Sequence, residues 1–343
     1  MPGVEQEVAS VLAEDEGYRI LAKSVFDTTD AAAIARRVTE ATNLCLDTSP
    51  NEVLCFDLSV GASLGLRLDD DREVFLKFLI DQPYEAIAAV CSFVNYLGSN
   101  GVPCPAVLAE PVQIDRTVVV AYSYLDVGAH RDTADPDLRR AMADMLASLH
   151  ALSARFDDLS VRTRIPDGDP DFASILPKPH NALFDSSRNK TESRWLDRLA
   201  TRAIEQILGS RHLDTPTISH LDWSSKHFRF DEQKRIVVIY DWDSVFRTGE
   251  LRSVGIAAAT HLYNWYIPLP TMTPVSGQMR AFVDDYEAAT GIGLSPDQRR
   301  YIFSHALYTL CYIAKCKYSL DADDAETSDE VRFLREGGDG FAR

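Results

Sequence analysis

The stretch from Ile218 to Asp243, ISHLDWSSKHFRFDEQKRIVVIYDWD, sets His220, Asp222, His227, Asp241 and Asp243 around runs that otherwise read as buried strand. Side chains of these types serve three ends: holding a transition metal for hydrolysis, handling magnesium for phosphoryl transfer, or satisfying one another in a core. HFRF and RIVVIY, joined by the polar DEQK, predict a hairpin. With its turn centred near Lys234, His227 and Asp241 fall opposite each other at the open end, where paired side chains sit roughly 5 Å apart. Asp222 enters the same space from the loop that carries WSSK. One carboxylate on a cation, a second ligand beside it and a separate aspartate that accepts or orients a hydroxyl proton are what phosphoryl transfer requires.

Other elements must hold such a constellation in place. Two helical patterns occupy the first fifty residues, EVASVLAEDEGYRILAKSVF and then DAAAIARRVTEATNLCL, the second opening on an aspartate suited to capping. From about Glu52 the period changes. NEVLCFDLSVGASLGLRLDDDREVFLKFLI alternates apolar and polar residues and breaks at Gly61, Gly65 and the Asp69–Asp71 run, which predicts three antiparallel strands. The segment after Pro83 places Ile87, Val90, Cys91, Val94 and Leu97 on one helical face, and TVVVAYSYL reads as a further strand. DVGAHRDTADP reads as a linker, so a lobe boundary is expected between residues 125 and 126, giving lobes 1–125 and 126–343. Beyond it the pattern is mostly helical: Leu138, Met142, Met145, Leu149 and Leu152 share a face, and a last long helix opens on Ser295 and Pro296. The acidic end, DADDAETSDEVRFLREGGDGF, is expected to be partly frayed.

With these elements in order, the spacing of His220, Asp222, His227, Asp241 and Trp242 resembles the catalytic and metal loops of the aminoglycoside phosphotransferase family, where the pattern is H-x-D-x-x-x-x-N, a hairpin, then D-W or D-F. Lys77 in EVFLKFL, GVPCP and LASLHAL are similar to further landmarks of that family, over about residues 52 to 256. The resemblance implies an α+β, bilobal protein-kinase-like fold, with a strand-rich N-terminal lobe and a mostly helical C-terminal lobe. It also implies an ATP-dependent kinase acting on a hydroxyl of a small polar molecule, an antibiotic or related natural product being the expected class. By position, Asp222 would orient the acceptor hydroxyl, Asp241 would hold Mg2+, and Lys77 would contact the α and β phosphates. The turn VGASLG, with Gly61 and Ser63, would lie over those phosphates, although a glycine pair is equally a plain hairpin turn. Asp243 would touch substrate or a second metal, or bond to backbone.

Three positions depart from that pattern. His227 stands where the family has asparagine, and imidazole suits softer metals, which brings Mn2+ into consideration or removes a direct ligand. Val90 stands where the glutamate that pairs with the lysine is expected; Glu85 is the nearest acid, on a different helical face. RTGELRSVGIA lacks the aspartate usual after the metal loop. His220 is expected to brace its loop, and Tyr263, Trp265 and Tyr266 to be core.

Bulk properties exclude other classes. At 343 residues, 45% hydrophobic and 25% charged, the chain is globular and long enough for two lobes. A formal net charge of -17 argues against a nucleic-acid binder, and is compatible with a cationic acceptor or with solubility alone. The first twenty residues lack the basic and apolar pattern of a signal peptide, and no run is long enough to span a bilayer, so a cytoplasmic location is expected. Six cysteines without a CxxC pair read as buried reduced thiols. Two alternatives stay open: a nucleotide-binding protein without kinase activity, and a hydrolase holding a transition metal through His220, Asp222, His227 and Asp241.

Overall fold

The computed structural model describes residues 2–158, 160–161, 175–177, 182–185 and 187–341, and divides them into two compact units. The first runs to Asp126 without Asn100–Pro103 and also takes in residues 182–184; the second holds those four residues and otherwise takes up the chain from Val127.

Three helices open the first unit: α1 (Pro2–Glu14), α2 (Glu16–Phe26) and α3 (Ala31–Leu46). The continuous helical pattern of residues 7–26 is broken because the Asp15 side chain accepts the Gly17 N–H and starts a new helix. A five-stranded antiparallel sheet follows, in the order β1 (Pro50–Leu58), β2 (Ala62–Leu68), β3 (Glu73–Ile80), β5 (Thr117–Ser123), β4 (Val112–Ile114). Strand alternation sends Leu64, Leu66, Val74, Leu76, Phe78, Val119 and Ala121 to one face, where they form a core with Val8, Leu12, Val25, Phe26, Ile34 and Val38 of the helices. The opposite face carries Ser63, Lys77 and Val120, aligned across β2, β3 and β5. Helix α4 (Tyr84–Ser99) buries Ile87, Val90, Val94 and Leu97, and its Cys91 bonds to Tyr122, which projects from that same face.

The second unit is largely helical: α5 (Pro136–Ser153), α6 (Arg194–Ser210), α7 (Glu250–Thr260), α8 (Ser276–Thr290), α9 (Pro296–Leu320), α10 (Ala322–Thr327) and α11 (Asp329–Phe341). Two small antiparallel ladders interrupt the helices, β6 (Pro216–His220) with β9 (Val245–Gly249) and β7 (Phe228–Phe230) with β8 (Ile236–Ile239). From Val127 onward the expected linker DVGAHRDTADP is instead an ordered part of this unit. Ala129 bridges to Phe230, Thr133 Oγ1 donates to the His261 carbonyl at 2.7 Å, and Asp135 caps α5. Gly128 makes this possible: its φ is +68°, and a Cβ there would run into Val237 and the Phe230 carbonyl.

The acidic C-terminal stretch, expected to fray, is helical because its acids and apolar residues segregate. Val331 and Leu334 are buried in α11, and buried Glu330 pairs with Lys317 at 2.7 Å and accepts from Tyr263. The missing aspartate of RTGELRSVGIA is replaced from elsewhere. Asp214 accepts from the N–H groups of Leu251 (2.7 Å) and Arg252 (3.2 Å) at the start of α7, and a Cβ on Gly249 would collide with that carboxylate. Of the six thiols, Cys91, Cys311 and Cys316 are buried, while Cys55 is exposed on edge strand β1, so the expectation of burial holds for only part of the set.

Candidate active site

Helix α5 pins the strand that leads into the loop. Its Ser153 accepts the Ile218 N–H at 2.8 Å, and buried His150 meets Ser219 Oγ at 3.0 Å, Ser253 Oγ at 2.9 Å and Tyr286 Oη at 2.8 Å. Burial lowers the His150 pKa to about 3, so the ring is neutral and joins α5, β6, α7 and α8 by hydrogen bonds alone. At the end of β6, His220 accepts the Asp222 N–H at Nδ1 (3.2 Å), which leaves the Nε2 proton for the Tyr240 carbonyl (3.0 Å). Both nitrogens of this ring are therefore engaged with backbone, and burial lowers its pKa to about 4. It braces the loop between Trp223 and Trp242, whose rings meet it edge-on at 5.8 and 5.5 Å.

Asp222, His227 and Asp241 converge. Each offers an atom within 4.8 Å of the other two, with His227 Nε2 at 2.9 Å from Asp222 Oδ2 and 3.4 Å from Asp241 Oδ2. The hairpin register differs slightly from the sequence expectation. Tyr240, not Asp241, is the direct partner of His227, donating its N–H to the His227 carbonyl at 2.9 Å. Asp241 regains the site through a left-handed backbone, φ 68° and ψ 42°, at the mouth of the turn that contains half-buried Asp243. Leu221 N–H donates to the Ser244 carbonyl at 2.8 Å and ties the two loops together.

Asp222 has two further partners that sequence reasoning passed over. Ser224 Oγ donates to Oδ1 at 2.6 Å, and Lys226 Nζ lies 2.9 Å from Oδ2. Burial alone would raise the Asp222 pKa, but Lys226 and His227 outweigh it and hold the carboxyl well below its usual range. The signal for both lay in WSSK, where a hydroxyl and an ammonium two and four residues after an aspartate can fold back on it. The aromatic expectation holds only in part, for half-buried Tyr263. Trp265 and Tyr266 are 59% and 56% exposed; Lys226 Nζ sits 4.2 Å from the Trp265 ring centre, and Tyr266 stacks on His130 at 4.7 Å.

In the first unit, Gly61 directly precedes β2, and Ser63 and Lys77 lie on the neighbouring strands β2 and β3. Ser63 stands opposite half-buried Lys77, and a Cβ at Gly61 would run into the Phe78 carbonyl, so β2 begins hard against β3 only because residue 61 is glycine. Glu85 is exposed in the first turn of α4, away from its buried face.

The Asp222, His227 and Asp241 atoms suit a divalent cation, since two carboxylate oxygens and an imidazole nitrogen share one small volume. His220 does not join them, because its ring nitrogens are both committed.

Solved structures with the same overall fold include an amicoumacin kinase in complex with AMP-PNP, Ca2+ and Ami, 12% identical with a TM-score of 0.65, the alignment covering 90% of this chain and 92% of that one. A spectinomycin phosphotransferase in complex with ADP and spectinomycin is likewise 12% identical, with a TM-score of 0.53 and coverage of 88% and 94%. No curated protein sequence matches the chain. The fold is thus the bilobal, protein-kinase-like one, strand-rich in its first unit and helical in its second. The APH phosphotransferase enzyme family model matches residues 63–266, from β2 through the catalytic hairpin and α7. More than half of the sequence is covered by that match, and the chain accordingly belongs to this family as a small-molecule phosphotransferase.

Proposed function

We propose that the protein transfers the γ-phosphoryl group of ATP to a hydroxyl of a small polar molecule, an antibiotic or related natural product. The observation that carries this reading is the meeting of Asp222, His227 and Asp241 at the end of one hairpin in a member of a phosphotransferase family. Asp222 orients the acceptor hydroxyl and receives its proton; Ser224 and His227 fix the carboxylate for that task. Asp241 holds a divalent ion, with His227 or Asp243 as its second protein group, and the ion neutralises phosphate charge when bound. His227 has one Nε2 for two duties, donating to Asp222 or ligating the ion, so Mn2+ should serve at least as well as Mg2+. Lys77, Ser63 and Gly61 form the nucleotide-phosphate surface of the first unit, and Glu85 is left without a role there. The two solved relatives are named for amicoumacin and spectinomycin, which supports the acceptor class but not its identity.

The test is an acceptor screen with the pure protein, ATP and either Mg2+ or Mn2+, read by mass spectrometry. The expected product is an acceptor heavier by one phosphoryl group, absent with Asp222→Ala although nucleotide still binds. Nucleotide binding with no turnover against any acceptor or water would overturn the reading in favour of a non-catalytic nucleotide-binding protein.

A further inference from the structure

We propose that Lys226 is a further catalytic residue, a fixed cation that contacts the transferring phosphoryl group. The proposal rests on the phosphotransferase reading above, and on a geometry that the catalytic aspartate alone does not explain. Asp222 already has two hydrogen-bonding partners, Ser224 on Oδ1 and His227 on Oδ2. Lys226 nonetheless folds back to 2.9 Å from Oδ2, with only 16% of its side chain exposed. Taking an ammonium that far out of water is costly unless something compensates. Part of the compensation is the Trp265 ring, whose centre lies 4.2 Å from Nζ. The lysine is thus clamped between a carboxylate and an aromatic face. An ammonium has three donors, and among the described residues Asp222 is its one ion-pair partner, so donors remain for another anion.

The position of that anion follows from the reaction. An acceptor hydroxyl held by Asp222 sits about 2.6–3.2 Å from its oxygens, and the phosphorus it attacks is about 3–3.5 Å further on. A cation bonded to the same carboxylate is therefore within reach of the equatorial phosphoryl oxygens. In the transfer, the acceptor oxygen forms its bond to phosphorus as the bond from phosphorus to the β–γ bridging oxygen breaks, and that electron pair stays on ADP. The hydroxyl proton passes to Asp222. Lys226 keeps all three of its protons and gains or loses no covalent bond; it offsets negative charge at a place where Asp222 and Asp241 would otherwise repel the phosphate.

The experiment measures ADP release by wild type, Lys226→Ala, Lys226→Arg and Trp265→Leu, with the best acceptor or, failing one, with water. Lys226→Ala should lower kcat about 100-fold while KM for ATP stays within about threefold, the pattern of an interaction made in the transition state. Ethylammonium should restore at least tenfold of that loss, a rescue that a folding defect would not show. Lys226→Arg should retain more activity than Lys226→Ala, and Trp265→Leu should lose about three- to tenfold. A kcat for Lys226→Ala within threefold of wild type, or a loss that ethylammonium leaves untouched, would overturn the inference and leave the phosphotransferase reading standing. A wild type that releases no ADP overturns both.

Discussion

The two units differ in what they bury. The first is built from aliphatic and phenylalanine side chains between a sheet and helices, and its candidate residues Ser63 and Lys77 come from the sheet itself, with Gly61 in the turn that leads into it. The second buries polar groups: His150, His220, His261 and His305 lie inside it, as does the Glu330 carboxylate, and half-buried Asp214 caps α7. Among the described residues every histidine belongs to the second unit, and so do all four tryptophans of the chain. A sheet of continuous hydrogen bonds needs little more than packing to present one lysine. A catalytic loop with no regular structure needs neutral rings and capping carboxylates to hold each turn.

This contrast can be broken most sharply at Asp222. Asp222→Asn should lower phosphoryl transfer by about 1,000-fold and leave nucleotide affinity within about twofold, because chemistry and nucleotide anchoring would reside in different units; turnover and calorimetric binding measure the pair. A matched loss of affinity would mean that the division is wrong. Next in size, Leu64→Ala should cost about 3 kcal/mol by opening a cavity in the first core. Amide exchange should quicken in β2 and β3, while tryptophan fluorescence, which reports only the second unit, keeps its denaturation midpoint.

Acid should discriminate in the opposite sense. Burial lowers His150 to about 3 and His261 to about 4, and drives His305 well below its ordinary value. The unfolded rings titrate near 6.5, so the unfolded chain binds more protons below that pH. Their stabilisation is complete above about pH 6.5 and is lost as pH falls toward 4, at up to about 1.4 kcal/mol per pH unit for each ring. Amide exchange at pH 7 and pH 5, corrected for intrinsic rates, should show α9 losing protection before β3; equal losses in both would remove the proposed asymmetry. The smallest effect is expected at His227. Asn there should shift the ratio of Mg2+- to Mn2+-supported activity severalfold toward Mg2+, read from metal titrations of initial rate.

Alternation and turn residues were enough to foresee β1, β2, β3 and β5, whereas the edge strand β4, only three residues long, is too short to show a period. The hairpin at 228–239 was legible from the same kind of pattern, although its turn centres one residue early, on Gln233 between Asp231 and Arg235, so that Tyr240 rather than Asp241 faces His227. Lys226 and Ser224 escaped notice because their partner is local while their consequence is tertiary; nothing in WSSK states that Trp265 will close over the lysine. The ordering of DVGAHRDTADP was hidden as well, since its contacts lie about a hundred residues ahead, in Phe230 and His261. The Asp214 cap on α7 reaches across a whole strand in the same way.

Asp241 carries one more implication. A left-handed aspartate costs about 1 kcal/mol relative to an ordinary backbone, and the turn it opens, closed by the Ser244 N–H donating to the Asp241 carbonyl at 3.2 Å, holds it there. Its carboxylate is thus preorganised. Loading a divalent ion would then be limited by shedding water from the ion rather than by rearranging the loop, and should leave the fluorescence of nearby Trp242 almost unchanged.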